Sequence, residues 1–181
     1  MVYLPREDSY LLKDWVEKEA KGSVLDIGTG TGIQAIAAAP KAKNVIAVDL
    51  DPNALEYAKN QAEVHGIPNI EFRQGSLFEP IRKEEQFDLI IFNPPYLPAD
   101  KWDKEISTTG GKHGWETIEK FLKQAKGHLK ERGKILLVFS SLTTLEKVLE
   151  IAGAEKYVAK LLQKKHFPFE DLFVYEFNKN K

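Results

Sequence analysis

Val24-Leu25-Asp26-Ile27-Gly28-Thr29-Gly30-Thr31-Gly32 is the stretch that decides the fold. An apolar run ends in glycines at alternate positions, so a buried strand turns sharply and leaves backbone open to close approach by a nucleotide-like ligand. Residues 33–39 continue as a short Ala-rich helix stopped by Pro40. The same alternation runs outward along the chain. Residues 45–48 read as a second strand, followed by a helix that Asp51 caps, with Pro52 at its first position and an end near Gly66. Further strands are expected at 70–73, 87–92 and 134–139. Further helices are expected at 8–20, where Leu11, Leu12, Trp15 and Val16 form an apolar stripe, at 115–130 with Gly133 after it, and at 143–152, ended by Gly153. The tail reads as two strands around His166-Phe167-Pro168, the second at 172–177. This pattern predicts an α/β fold: a seven-stranded, mostly parallel sheet with helices on both faces and a C-terminal antiparallel strand pair.

The 181 residues suit one domain, 1–181, because two halves of that length would each bury too little. No linker, repeat or low-complexity tract divides it. The segment 1–22 reads as an N-terminal helical piece carrying Arg6, Glu7, Asp8, Lys13 and Asp14, which is unlike a signal peptide. Zero cysteines exclude a disulfide framework and a thiolate metal site, and apolar runs such as 135–139 are far too short to span a membrane. These features predict a cytoplasmic protein. A net charge of -1 argues against a large non-specific electrostatic grip on nucleic acid. The 22 lysines to 4 arginines, 18 glutamates and single methionine resemble the composition of hyperthermophile proteins.

The glycines alone do not identify their ligand. From Gly30, the run Gly-Thr-Gly-Ile-Gln-Ala satisfies a dinucleotide pattern, and Asp49 follows at the customary spacing. Asp26 argues otherwise, since a carboxylate at the end of the first strand repels a pyrophosphate but suits a cationic ligand. Asp49, ending the second strand, is placed for a ribose diol, whose two hydroxyls one carboxylate can accept.

Asn93-Pro94-Pro95-Tyr96 follows the fourth strand directly, at the edge where an open parallel sheet places its ligands. A planar nitrogen attacks poorly because its lone pair is delocalised. Two acceptors gripping its N–H bonds orient it and stabilise the positive charge that builds as it alkylates. The Asn93 side chain supplies one acceptor and the Pro94 carbonyl the other. Pro95 biases Pro94 toward extended backbone, and Tyr96 offers a flat face. Residues 97–114 show no period and hold three glycines, the signature of a substrate loop or lid.

These motifs resemble class I S-adenosylmethionine-dependent methyltransferases with a Rossmann-like sheet, and more narrowly the HemK-type enzymes that methylate glutamine. The opening Val2-Tyr3-Leu4-Pro5-Arg6-Glu7-Asp8-Ser9-Tyr10-Leu11-Leu12 is similar to the start of the short archaeal and eukaryotic form, which acts on the Gly-Gly-Gln motif of class-1 translation release factors. The resemblance implies a cofactor site of Ser9, Asp26, Gly28, Gly30, Gly32, Asp49, Leu50, Ser76, Leu77 and Asn93. It implies that Asn93, Pro94 and Tyr96 are catalytic, with Pro95, Gly111 and His113 also at the substrate. Ser76 stands where an acid usually contacts adenine, a weaker acceptor for that amino group. The family also implies a small zinc-binding activator subunit as partner. His65, His113, His128 and His166 show no ligand spacing, so no metal is expected. Trp102 and Trp115 flank the loop and Trp15 reads as core. Three rival readings share some of these features: an adenine-N6 or guanine-N2 methyltransferase acting on RNA or DNA, a non-catalytic cofactor-binding scaffold, and a nicotinamide oxidoreductase.

Overall fold

The computed structural model describes residues 4–95 and 113–180. Tyr96, Trp102, Gly111 and nearly all of the 97–114 segment lie outside them, as do Val2 and Tyr3. The chain runs α1 (Glu7–Glu19), β1 (Gly22–Ile27), α2 (Ile33–Ala38), β2 (Ala42–Asp49), α3 (Pro52–Val64), β3 (Ile70–Gln74) and β4 (Phe87–Phe92). It continues with α4 (Glu116–His128), β5 (Leu129–Ser140), a 3-10 turn (Ser141–Thr143), α5 (Leu145–Ala154), β6 (Tyr157–Phe167) and β7 (Glu170–Lys179). One seven-stranded sheet has the order β3-β2-β1-β4-β5-β7-β6. The first five strands in chain order are parallel, while β7 pairs antiparallel with β5 and β6. The chain reverses direction across the sheet between β1 and β4, which is where an open α/β sheet leaves a ligand crevice.

Strand alternation sorts the core into two layers. Leu25, Ile27, Ile90, Phe92, Ile135, Leu137 and Phe139 pack with α4 and α5 on one face. Val24, Leu89, Ile91, Leu136 and Val138 pack with α1 and α2 on the other. Asp26 shares the parity of Val24 and therefore faces α1 and α2. The connector from β3 to β4 is anchored by Arg73, whose guanidinium reaches Glu71, Glu85 and the Pro80 carbonyl. The Arg73 hydrogen bonds hold the Glu85 carboxyl down at about 2, which fixes the loop that presents Ser76 and Leu77.

Several of the departures from the sequence expectation change how a residue is read. The fourth helix ends at His128, and Gly133 lies inside β5 rather than after a helix. The β4–β5 register jumps from Phe87↔Leu129 to Leu89↔Lys134, so β5 bulges there. A Cβ at Gly133 would meet the Phe87 carbonyl oxygen at 2.7 Å, so the glycine admits close backbone approach. The fifth helix runs through Gly153 to Ala154, with Lys156 taking the left-handed backbone (φ 61°) after it. His166 and Phe167 end β6, so the hairpin turn falls at Pro168 and Phe169. Trp15 is half-buried rather than core, its indole N–H donating to Gln163 Oε1 at 2.7 Å.

Candidate active site

The turn after β1 needs glycine at three places: Gly28, Gly30 and Gly32 have φ of 65°, 54° and 83°. At Gly32 a Cβ would also lie 2.9 Å from the Ala58 methyl, so α3 packs against the loop where a side chain would stand. At Gly30 a Cβ would meet nothing within 4 Å. That glycine serves its backbone conformation and an open face.

Two carboxylates lock the loop. Asp26 Oδ2 accepts from the Thr29 hydroxyl at 2.6 Å and the Ala35 N–H at 3.1 Å. Asp49 Oδ2 accepts from the Gly30 N–H at 2.8 Å, and its Oδ1 from the Asp51 N–H at 2.9 Å. Thr29 N–H in turn donates to the Val48 carbonyl at 2.9 Å, joining the loop to β2. Both acids therefore have a structural duty, and each keeps further lone pairs for a ligand. Asp26 is 1% exposed. Burial pushes its carboxyl up to about 7, against the pull of the Thr29 and Ala35 hydrogen bonds, with the nearby Asp49 charge adding to the rise.

Leu50 is exposed beside Asp49, and Leu77 holds a left-handed backbone at φ 50°, an uncommon conformation for leucine. Ser76 is half-buried and its N–H donates to Glu79 Oε2 at 3.0 Å. These three residues flank the loop ends of β2 and β3, a rim that could cover a flat base.

Asn93 leaves β4 beside the glycine turn: a Cβ at Gly28 would lie 4.0 Å from the Asn93 carbonyl oxygen. Its side-chain NH2 donates to Asp8 Oδ2 at 3.1 Å and reaches Ser9 Oγ at 3.3 Å. Pro94 is buried and Pro95 half-buried. Asp8 and Ser9, both in the first turn of α1, are 3% and 2% exposed. Gln34 pins that turn by donating to the Ser9 carbonyl at 2.8 Å, and its buried Oε1 finds no hydrogen-bond partner among the described residues.

The structure thus gathers Ser9, Asp26, Gly28, Gly30, Gly32, Asp49 and Asn93. Among the described residues His113 is not in contact with that group: its ring nitrogen is hydrogen-bonded to Glu116 at 2.9 Å and its ring stacks on Trp115. Asp8 and Gln34, which the structure places against Asn93 and Ser9, are not among the site residues that the sequence picks out. The spacing of Asp8 held a signal, because positions 8, 12 and 16 share one helix face and the other two are buried leucine and valine. An open cleft of about 240 Å³, lined by Pro5, Lys13, Thr31, Tyr57 and His65 among others, touches none of Asp26, Asp49 and Asn93.

Residues 7–167 match the methyltransferase small domain family. The chain is 37% identical over 180 residues to a Methanocaldococcus jannaschii protein provisionally named a protein N5-glutamine methyltransferase, covering 96% of this chain and 89% of that one. It is 32% identical to a release factor glutamine methyltransferase of Aquifex aeolicus, covering 92% of this chain but 60% of the relative. Among solved structures, the E. cuniculi Mtq2–Trm112 complex, described as responsible for methylation of the eRF1 translation termination factor, superposes with a TM-score of 0.80 at 25% identity, covering 99% of each chain. A ribosomal protein L11 methylase of Lactobacillus delbrueckii, at 23% identity and a TM-score of 0.74, shares the fold.

Proposed function

The chain belongs to the methyltransferase small domain family, and from that premise we propose that it transfers a methyl group from S-adenosylmethionine to the side-chain amide of the glutamine in a release factor's Gly-Gly-Gln motif. The observation that carries this reading is the junction of Asn93 with the glycine turn, which sets an amide acceptor beside a nucleotide-type loop.

The loop suits that cofactor. Asp26 would repel a pyrophosphate, whereas S-adenosylmethionine brings an ammonium, a sulfonium and no phosphate. Asp26 would face the ammonium, directly or through water, and Asp49 would accept from the ribose hydroxyls. Leu50, Ser76 and Leu77 would border the adenine, and Ser9 the methionine end. Gly30 leaves its side open to the ligand, and Gln34 Oε1 is a further buried acceptor in this corner. The bound cofactor supplies an electrophilic methyl on a sulfonium.

Asn93 Oδ1 and the Pro94 carbonyl would each accept one N–H of the glutamine amide, turning its nitrogen toward that methyl. Alignment of this kind contributes on the order of 7–11 kcal/mol to a barrier. The two acceptors also stabilise the charge that develops on nitrogen, and the proton leaves after alkylation, so no general base has to act first. Tyr96 and Pro95 would pack on the amide plane, with Gly111 and His113 in the loop that follows.

A cytoplasmic setting belongs to this reading, and among the described residues no helix is long and apolar enough to cross a membrane. So does a small zinc-binding activator subunit as partner. The test supplies tritiated S-adenosylmethionine with an archaeal/eukaryotic-type release factor and, separately, cellular RNA, each with and without such a subunit. Label on the release factor is expected. Label confined to RNA transfers the same chemistry to a base amine and overturns the glutamine reading.

A further inference from the structure

We infer that Asp8 is a positioning residue for methyl transfer: its buried carboxylate fixes which end of the Asn93 amide faces the acceptor. The inference rests on the reading of Asn93 as the acceptor of the substrate N–H.

An asparagine side chain has a donor end and an acceptor end of nearly equal size, and only its neighbours decide which points where. On one side of Asn93 stands Asp8 Oδ2, 3.1 Å from Nδ2, with Ser9 Oγ at 3.3 Å. An ionised carboxylate only accepts. Turning the Asn93 amide over would set Oδ1 against that carboxylate and Nδ2 against the N–H bonds of a substrate amide. Both contacts would repel. The orientation seen leaves Oδ1 as the end available to the substrate.

Asp8 is itself held. Its Oδ1 accepts from the Ser9 N–H at 2.7 Å and reaches the Ser9 hydroxyl at 3.3 Å. The turn that carries it is pinned by Gln34 to α2, and Leu11, Leu12 and Val16 behind it are buried. A carboxylate at the first turn of a 13-residue helix also gains from the helix dipole. Burial at 3% exposure leaves little water to weaken its field at Asn93. That field draws the Asn93 N–H protons and raises the electron density on Oδ1, which strengthens the acceptor as positive charge grows on the substrate nitrogen.

The consequence lies in turnover rather than in cofactor affinity. Asp8→Asn keeps the size and replaces an acceptor-only group by one that can face Asn93 either way. Its single-turnover transfer rate should fall roughly 10- to 100-fold, the scale of losing a hydrogen bond to a charged group. Affinity for S-adenosylmethionine, measured by calorimetry, should stay within about threefold, which reports a folded protein. In an Asn93→Ala background, Asp8→Asn should add less than about threefold, because the amide it orients is gone. Asp8→Glu, which keeps the acceptor-only chemistry, should restore part of the rate. Wild-type turnover by Asp8→Asn, or full additivity with Asn93→Ala, overturns the inference while leaving the functional reading intact. If the wild-type protein labels no release factor, the functional reading fails alone. The inference is then decided by the Asn93 side-chain NH2 signals in a nitrogen-15 spectrum. Slow hydrogen exchange lost in Asp8→Asn sustains it, and unchanged exchange overturns it.

Discussion

The glycine turn and the Asn93 corner are neighbours in space and opposites in construction. The turn is assembled from one continuous stretch, Asp26 to Ala35, plus Asp49 on the adjacent strand, and its hydrogen bonds are short in sequence separation. The corner joins residues 84 and 85 positions apart, Ser9 and Asp8 on α1 and Asn93 at the end of β4. The turn is thus a local device, held by backbone conformations that only glycine adopts cheaply. The corner exists only once α1 has docked on the sheet. The first should govern cofactor affinity and the Asp8–Asn93 pair of the second turnover, and changes on either side can separate them.

The largest effect is expected at the corner. Asn93→Ala removes the proposed substrate acceptor and should lower transfer by roughly 10²- to 10³-fold, on the scale of losing one transition-state hydrogen bond, with cofactor affinity within a few-fold. Single-turnover labelling beside calorimetry reads both quantities. A parallel loss of affinity would show that the two regions do not divide the work.

Next comes the turn itself. Gly32→Val places a branched side chain at φ 83° and against the Ala58 methyl at 2.9 Å. A strained backbone position costs about 1–3 kcal/mol before the overlap is counted, so denaturant unfolding should shift to a clearly lower midpoint. An unchanged midpoint would mean that the loop and α3 yield more easily than their packing implies. Asp49→Ala is expected to be milder, weakening cofactor affinity roughly 10- to 100-fold while leaving the acceptor's KM unaltered, measured by titration and steady-state kinetics.

The smallest effect, taken per pH unit, is a pH dependence. Asp26 titrates at about 7 in the folded protein against an ordinary 3.8, so between those values the folded chain holds a proton the unfolded chain has lost. Its contribution to stability therefore declines as pH rises through that window and is level above it. Binding of a cationic cofactor has the reverse sign, since it favours the ionised carboxylate. Affinity should climb as pH rises toward about 7, by at most about tenfold per pH unit, and Asp26→Asn should flatten the curve. A slope that survives Asp26→Asn would move its origin elsewhere.

The same contrast explains what could be read beforehand. Alternating apolar runs and glycine punctuation announced the parallel strands, and the turn's acids stood beside its glycines. Asn93 was singled out by its proline neighbours. Asp8 was not: its helix face, shared with Leu12 and Val16, hinted at burial, but its partners Gln34 and Asn93 come from distant parts of the chain. The β5 bulge escaped for a similar reason: Gly133 looked like a helix stop until its approach to the Phe87 carbonyl was visible.

The account turns on which atom receives the methyl. Tandem mass spectrometry of the release factor after reaction should place the added methyl on the side-chain nitrogen of the Gly-Gly-Gln glutamine and leave a factor lacking that glutamine unmodified. A methyl on a lysine, on a backbone site or on a nucleic-acid base would contradict the planar-amide assignment of Asn93 and Pro94.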